Sequence, residues 1–302
     1  MNAIGIDMGG TRIKGVLLNV TTGDVLHKVI LPTGDGEGTP WKTAVQELVQ
    51  QLKAATEEPI QGIGLAAPGL PNADNTAIAC MPGRLQGLEH FSWPEYLQEP
   101  VRVLNDAHAA LLAEARYGVA RQASNALMLT LGTGVGGGLL LNGQLYQGYF
   151  QMAGHLGHIS VDVDSEQLDI TSIPGSLEDA IGNATVARRS YGRYQTTYAL
   201  VDAYRQGEPL AALVWLTSIR RLAVAVASLA NAFSPEVVVI GGGITQAGDA
   251  LFGPLETFID LFEWRPAGKK TIICKAHFDE WAGAIGAAGS VISNLSIATN
   301  QR

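Results

Sequence analysis

Residues Ala126–Leu141 read ALMLTLGTGVGGGLLL, and Asn142-Gly143 follows. Leu127-Met128-Leu129-Thr130-Leu131 is an apolar run of the length a buried strand needs. Gly132, Gly134, Gly136, Gly137 and Gly138 then strip side chains from a segment where the backbone must turn sharply or let something come close. Successive backbone N–H groups in such a turn form a concave anion site, to which Thr133 adds a hydroxyl. The fitting guest is a phosphate chain. Gly132, Gly134 and Gly137 also satisfy the spacing of the dinucleotide fingerprint, but that motif needs a helix directly after the glycines. Here they run into Leu139-Leu140-Leu141 and an Asn-Gly turn, so the spacing predicts a β-hairpin phosphate cradle. No GxxxxGK[ST] loop occurs.

The N-terminus has the same grammar. Ala3–Leu18 is an apolar run, a turn at Gly9-Gly10-Thr11, and a second apolar run that ends in a polar turn at Thr21–Asp24. Such a duplication predicts two similar halves able to face each other across a cleft. Only the first copy is charged, through Asp7, Arg12 and Lys14. Further elements follow from periodicity and breakers. Thr39-Pro40 opens a helix with the apolar stripe Trp41, Ala44, Val45, Leu48 and Leu52. Gly62–Ala67 is a strand closed by Pro68-Gly69. Val101–Leu104 is another, ending at Asn105-Asp106, with a helix to Tyr117 that stops at Gly118. Helices are expected at Ser176–Ile181, Thr197–Arg205, Pro209–Phe233, Gln246–Leu261 and Trp281–Asn294. Strands are expected at Glu236–Ile240, before Gly241-Gly242-Gly243, and at Thr271–Lys275. The polar stretch from Ile159 to Leu177 shows no period.

At 302 residues the chain suits two domains, with a break between Asp106 and Gln122. A formal charge of −8 argues against a nucleic-acid or membrane-surface partner. The two cysteines, Cys80 and Cys274, support neither a disulfide framework nor a metal knuckle. The long apolar segment to Phe233 is interrupted by Thr217, Ser218 and Arg220-Arg221, which favours a core helix. Without a basic n-region before the first strand, a cytoplasmic protein is expected.

Asp106 is the strongest candidate for chemistry. A carboxylate at a strand end can accept the proton of a substrate hydroxyl during phosphoryl transfer; it can equally cap the helix that follows. Asp7 could hold Mg²⁺ beside phosphates or simply form a turn. Arg12 and Lys14 could meet phosphate or alternate outward along the strand. His155 and His158 suggest a metal pair, yet zinc needs three or four ligands and no cysteine is near. Hydrogen bonding to a polar substrate suits neutral imidazoles better. Gly241-Gly242-Gly243 offers a bare surface for an adenosine, or a tight turn.

Taken together, these motifs resemble the ROK family of bacterial sugar kinases, within the sugar kinase/actin-like ATPase superfamily. The resemblance runs in order through Gly5-Ile6-Asp7-Met8-Gly9-Gly10-Thr11, Gly62-Ile63-Gly64 with Pro68-Gly69, Asn105-Asp106 with Glu114, and Leu131–Gly138. It continues through Gly157-His158, Gly175-Ser176-Leu177-Glu178, Asn231–Gly243 and Gly286-Ala287-Ala288. It implies an α/β protein of two ribonuclease-H-like (actin-like ATPase) domains flanking a central cleft. The first would span residues 1–115, joined by a C-terminal helix at 284–302, and the second residues 116–283. By position Asp106 matches the catalytic base, while Gly69, Asn105, His155, His158 and Glu178 fall on the sugar side. Asp7, Gly9, Gly10, Thr11 and Lys14 match the first phosphate motif, Gly132, Thr133 and Gly134 the second, and Gly241 and Gly242 the adenosine turn.

The implied activity is phosphorylation of a hexose or N-acetylhexosamine, at its 6-hydroxyl, with ATP and Mg²⁺, in a homodimer. Domain closure would bring donor and acceptor together. Two departures stand out. The three-cysteine zinc motif usual between the positions of His158 and Glu178 is missing, so no zinc site is expected and packing alone should fix that loop. His155 replaces the usual Glu, as in some bacterial N-acetylmannosamine kinases. The rivals are a sugar-responsive repressor, which needs a helix-turn-helix where the first strand is expected to begin, and a sugar-binding protein without activity.

Overall fold

A computed structural model describes residues 1–34, 38–81, 83 and 85–292. In chain order the strands and helices are β1 (Asn2–Met8), β2 (Arg12–Asn19), β3 (Val25–Pro32), α1 (Pro40–Ala54), β4 (Ile60–Ala67), β5 (Leu70–Pro71) and β6 (Ile78–Cys80). Next come α2 (Trp93–Leu97), β7 (Val101–Asn105), α3 (Asp106–Tyr117), β8 (Ala126–Leu131), β9 (Val135–Leu141) and β10 (Gln144–Leu145). The remainder holds α4 (Leu177–Ile181), α5 (Val186–Arg189), α6 (Thr197–Arg205), α7 (Pro209–Phe233), β11 (Val237–Gly241), α8 (Asp249–Phe262), β12 (Ile272–Lys275) and α9 (Ala282–Ser290).

The duplication read from the sequence is a duplication of topology. One sheet has the order β3-β2-β1-β4-β7 and the other β10-β9-β8-β11-β12. In the first, β1 pairs antiparallel with β2 and parallel with β4. In the second, β11 pairs parallel with both β8 and β12. The chain divides into two compact units. One comprises Met1–Ser124, Leu139–Ala153 and His277–Arg302, and the other Asn125–Gly138 and Gly154–Ala276.

In the first unit, Ile4, Ile6, Met8, Ile13 and Leu17 of β1 and β2 meet Trp41, Val45, Leu48 and Leu52 of α1. Full burial of such side chains stabilises by about 1.5–3 kcal/mol each. Trp41, Phe91 and Trp93 close this core edge to face, with Trp41–Phe91 centroids at 5.3 Å and Phe91–Trp93 at 4.9 Å. The opposite face of the sheet receives α9, a helix of alanines and glycines. A Cβ on Gly5 would stand 1.9 Å from the Ala284 carbonyl oxygen, and one on Gly64 1.9 Å from that of Ala287. Backbone therefore packs on backbone here, which is why both strands carry glycine at these points.

In the second unit α7 packs against α4, α6 and α8. By length and composition it could cross a bilayer. Trp215, Ile219, Leu222, Ala223 and Val226 are nevertheless buried in this unit, as a core helix requires.

Three expectations need correction. Thr39 does not cap α1 through its side chain; it sits at φ 54 with only its backbone oxygen accepting, from the Lys42 N–H. The helix expected from Gln246 is a 3₁₀ turn (Gly243–Ala247) followed by α8, because Gly248 at φ 58 breaks the run. The last helix begins at Ala282 after a 3₁₀ turn and ends at Ser290; residues 293–302 of the expected C-terminal helix lie outside the described residues.

Candidate active site

β7 ends by delivering Asn105 and Asp106 together. Asn105 is the cap of α3: its side-chain oxygen accepts from the N–H groups of Ala107 at 2.9 Å and His108 at 3.3 Å. Its amide donates to the Gly69 oxygen at 3.1 Å, which ties the Pro68-Gly69 turn to the strand end. Gly69 has φ 99 and room for no side chain, since a Cβ would lie 2.6 Å from the Cys80 oxygen. The capping role open to Asp106 thus belongs to its neighbour. Asp106 occupies the first helical position, with one carboxylate oxygen 2.8 Å from the Ala107 N–H. It keeps solvent contact while protein crowds it, and this desolvation pushes its carboxyl above the usual range against the Ala107, Asp106 and Asn105 hydrogen bonds.

Asp7, near the end of β1, lies within the field of Asp106. Burial first, then the Asp106 charge, raise its carboxyl to about 7, with Lys14 working the other way. The start of α9 presses on it: a Cβ on Gly283 would be 2.7 Å from the Asp7 Cγ. Lys14 stands opposite Asp7 in the β1–β2 register. Its ammonium donates to the Glu280 backbone oxygen at 2.9 Å and lies 3.1 Å from the Glu280 carboxylate. In the turn between these strands the Gly9 N–H donates to the Arg12 oxygen at 3.0 Å. Gly10 and Thr11 are exposed there.

The second glycine hairpin belongs to the other unit. The Gly132 N–H donates to the Gly134 oxygen at 2.9 Å, and the N–H groups of Asn183 and Ala184 hold the Gly132 and Thr133 oxygens at 2.9 Å each. Glu178, in the first turn of α4, lies on this hairpin; its carboxylate accepts from the Val135 N–H at 2.9 Å. Gly134 has no space for a Cβ, which would sit 2.1 Å from a Glu178 oxygen.

Beside the same hairpin is a cavity of about 370 Å³ lined by Gly132, Thr133, Asn183, Thr197, Arg205 and Gly243 among others. That volume falls in the range of ordinary ligand pockets. Of the three terminal glycines, Gly243 lines it. Gly241 and Gly242 pack at the end of β11, where a Cβ on Gly242 would meet the Leu131 oxygen at 2.3 Å. Sequence reasoning did not find Asn183, Thr197 or Arg205. They come from the two ends of α6 and the connection before it, whose local pattern is ordinary.

His155 precedes a 3₁₀ turn, Leu156–His158, that ends on His158. Burial, then the neighbouring His158, lower the pKa of His155. Among the described residues, no three His, Cys, Asp or Glu side chains gather as metal ligands. The loop from Ile159 to Leu177 is not fixed by packing alone. The Asp169 carboxylate accepts from the N–H groups of Thr171 at 2.8 Å and Ile173 at 3.0 Å and from the Thr171 hydroxyl at 2.7 Å. An acid in an aperiodic polar stretch gave no sign of this in the sequence.

With this geometry in view, comparison with known proteins is decisive. The family model described as "ROK family" matches residues 3–293. The chain belongs to the ROK family. A glucokinase of Halalkalibacterium halodurans is 33% identical over 86% of this chain and 85% of its own length. An N-acetyl-D-glucosamine kinase of Yersinia pseudotuberculosis is 33% identical over 94% of this chain and 97% of its own. Among solved structures, a ROK hexokinase from Thermus thermophilus superposes with a TM-score of 0.82 at 28% identity, covering 96% of this chain and 97% of that one. The ribonuclease-H-like, actin-like ATPase fold expected from the sequence is the fold of these ROK structures.

Proposed function

We propose that this ROK protein is an ATP-dependent sugar kinase that phosphorylates a hexose or N-acetylhexosamine at its 6-hydroxyl, with Asp106 as the base. The observation that carries the reading is the pair at the ends of β7 and β1. Asp106 is raised above the usual carboxylate range by its crowded setting, and Asp7 stands at about 7 within its field. A carboxyl raised above the usual range is a stronger proton acceptor toward an alcohol than one within it. The curated relatives support the reaction class.

Asp7 suits Mg²⁺. Its burial and the nearby Asp106 charge leave a carboxylate short of positive countercharge. Magnesium is usually held by one or two carboxylates together with substrate phosphates. Bound there, the cation would supply charge neutralisation to the phosphates being cleaved. Within the glycine turns the Gly9 and Gly132 N–H groups donate internally, so the N–H groups of Gly10 and Thr11 and of Thr133 and Gly134 serve the phosphate chain, and the cavity at Gly243 takes the nucleoside. Asn105 orients the junction: capping occupies its oxygen, and Gly69 takes one amide hydrogen. His158 and Glu178 hold sugar hydroxyls, and His155 selects among sugars.

A coupled ADP-release assay over glucose, mannose, N-acetylglucosamine and N-acetylmannosamine tests this directly. One or more acceptors should give sugar-dependent ADP release that Asp106→Asn removes. Absence of turnover with the whole panel, alongside measurable sugar binding, would make the protein a non-catalytic sugar binder.

A further inference from the structure

The loop between His158 and Glu178 is organised around one carboxylate. Its two ends are laced together: the N–H groups of Val161 and Asp162 donate to the Gly175 oxygen at 2.8 and 3.2 Å, and the Leu177 N–H donates to the Ile159 oxygen at 2.9 Å. Gly175 at φ 62 is required there, because a Cβ would lie 1.9 Å from the Asp162 oxygen. Within this frame Oδ1 of Asp169 collects three donors from Thr171 and Ile173. Oδ2 faces the His158 Nδ1 at 3.4 Å, and the Asp169 side chain is 2% exposed. The Ser176 hydroxyl also bonds Asp169, and Ser176 Oγ caps α4 by accepting from the Asp179 N–H at 3.2 Å.

Building on the sugar-kinase reading, we propose that Asp169 is a positioning residue. It fixes His158 with the proton on Nδ1, so that Nε2 offers the sugar a hydrogen-bond acceptor, and it anchors the start of the helix carrying Glu178. The tautomer follows from what surrounds Nδ1. Asp169 Oδ2 can only accept. Thr171 Oγ1, also 3.4 Å from Nδ1, commits its hydrogen to Asp169 Oδ1 at 2.7 Å and so presents a lone pair to the ring. Two acceptors beside one ring nitrogen place the hydrogen on that nitrogen. Separations of 3.4 Å are long for hydrogen bonds. The orienting force is therefore mainly the field of the Asp169 carboxylate, whose side chain is almost wholly covered by protein. An outer partner that sets a histidine tautomer decides what the far nitrogen can do.

The experiment is Asp169→Asn in the full chain. The three donors to Oδ1 hold the asparagine carbonyl in that place, so its NH₂ must face His158 Nδ1 and turn it into an acceptor. Nitrogen-15 spectra of the histidine rings, assigned with His158→Gln and recorded at alkaline pH where histidine is neutral, should show Nδ1–H in the parent and Nε2–H in the variant. With the preferred sugar, KM should rise about tenfold, the size of one lost polar contact, while KM for ATP stays within about twofold. Thr171→Val, which keeps the carboxylate, should retain the parent tautomer. An Nε2–H ring in the parent overturns the proposal even if the variant fails to fold, as does a variant with parental tautomer and sugar KM. The ring spectra need no substrate, so a failure of the kinase reading would show separately, as missing ADP release.

Discussion

At the β7–α3 junction, Asn105 caps the helix, and this division of labour governs what a change at Asp106 should do. Asp106→Asn keeps volume and an oxygen for the Ala107 N–H, so the fold should be retained. The proposed base is lost, and general-base catalysis is worth about 10²–10⁴-fold in rate. We expect kcat to fall by about that factor while sugar affinity, measured by calorimetry, moves little. A variant that turns over normally would remove Asp106 from the chemistry. Asp169 makes a different prediction. Burial works to raise its carboxyl, but the Ile173 and Thr171 N–H groups and the Thr171 and Ser176 hydroxyls prevail and hold it at about 2, below the ordinary aspartate value of 3.8. As pH falls the unfolded chain takes up this proton first, so the contribution to stability is complete above about pH 4 and is lost between there and about pH 2. The stability gap between the parent and Asp169→Asn, read from urea unfolding, should narrow when pH is lowered from about 5 to about 3. A constant gap would mean the charge contributes nothing.

Elements are joined in the first unit by another buried acid. Glu114 of α3 has no solvent exposure. One carboxylate oxygen accepts from the N–H groups of His277 at 2.7 Å and Phe278 at 3.0 Å, and the other from the Val119 N–H at 3.1 Å. It fastens the segment leading into α9 to α3 and closes the turn at Gly118. Removing it strands three donors, each costing about 1–3 kcal/mol when left unsatisfied. Glu114→Ala should therefore lose at least about 3 kcal/mol by chemical denaturation, far more than an ordinary surface change. A loss under about 1 kcal/mol would show that water replaces the carboxylate. Glu114 was visible in the sequence only as a member of a motif, because a helical acid between alanines looks the same whether it faces solvent or a returning chain. The hairpins were legible for the opposite reason: apolar runs broken by clustered glycines leave few alternatives for the backbone. Asp169 and the cavity residues Asn183, Thr197 and Arg205 were not legible, since tertiary placement alone gives them a task.

Over the whole molecule, the proposed function gives two sheets of one topology different tasks, and their ligands should be thermodynamically separable. Asp7 and Asp106 lie in one unit, and the cavity at Gly132, Thr133 and Gly243 in the other. Any ligand that binds only the folded protein stabilises it by about 2.7 kcal/mol at a hundredfold excess over Kd. For 302 residues that is a rise in Tm on the order of 4 °C. Gly243 gives a way to remove one ligand alone. It lines the cavity, has no positive φ, and a Cβ there meets nothing within 4 Å. Gly243→Phe should fold with an unchanged Tm yet enter the space proposed for the nucleoside. The adenine-nucleotide shift should vanish and KM for ATP rise at least tenfold, while the sugar-induced shift remains. Asp106→Asn should keep both shifts and lose turnover. A nucleotide shift that survives Gly243→Phe would place the nucleoside elsewhere, because the added ring enters the cavity that Gly132 and Thr133 also line.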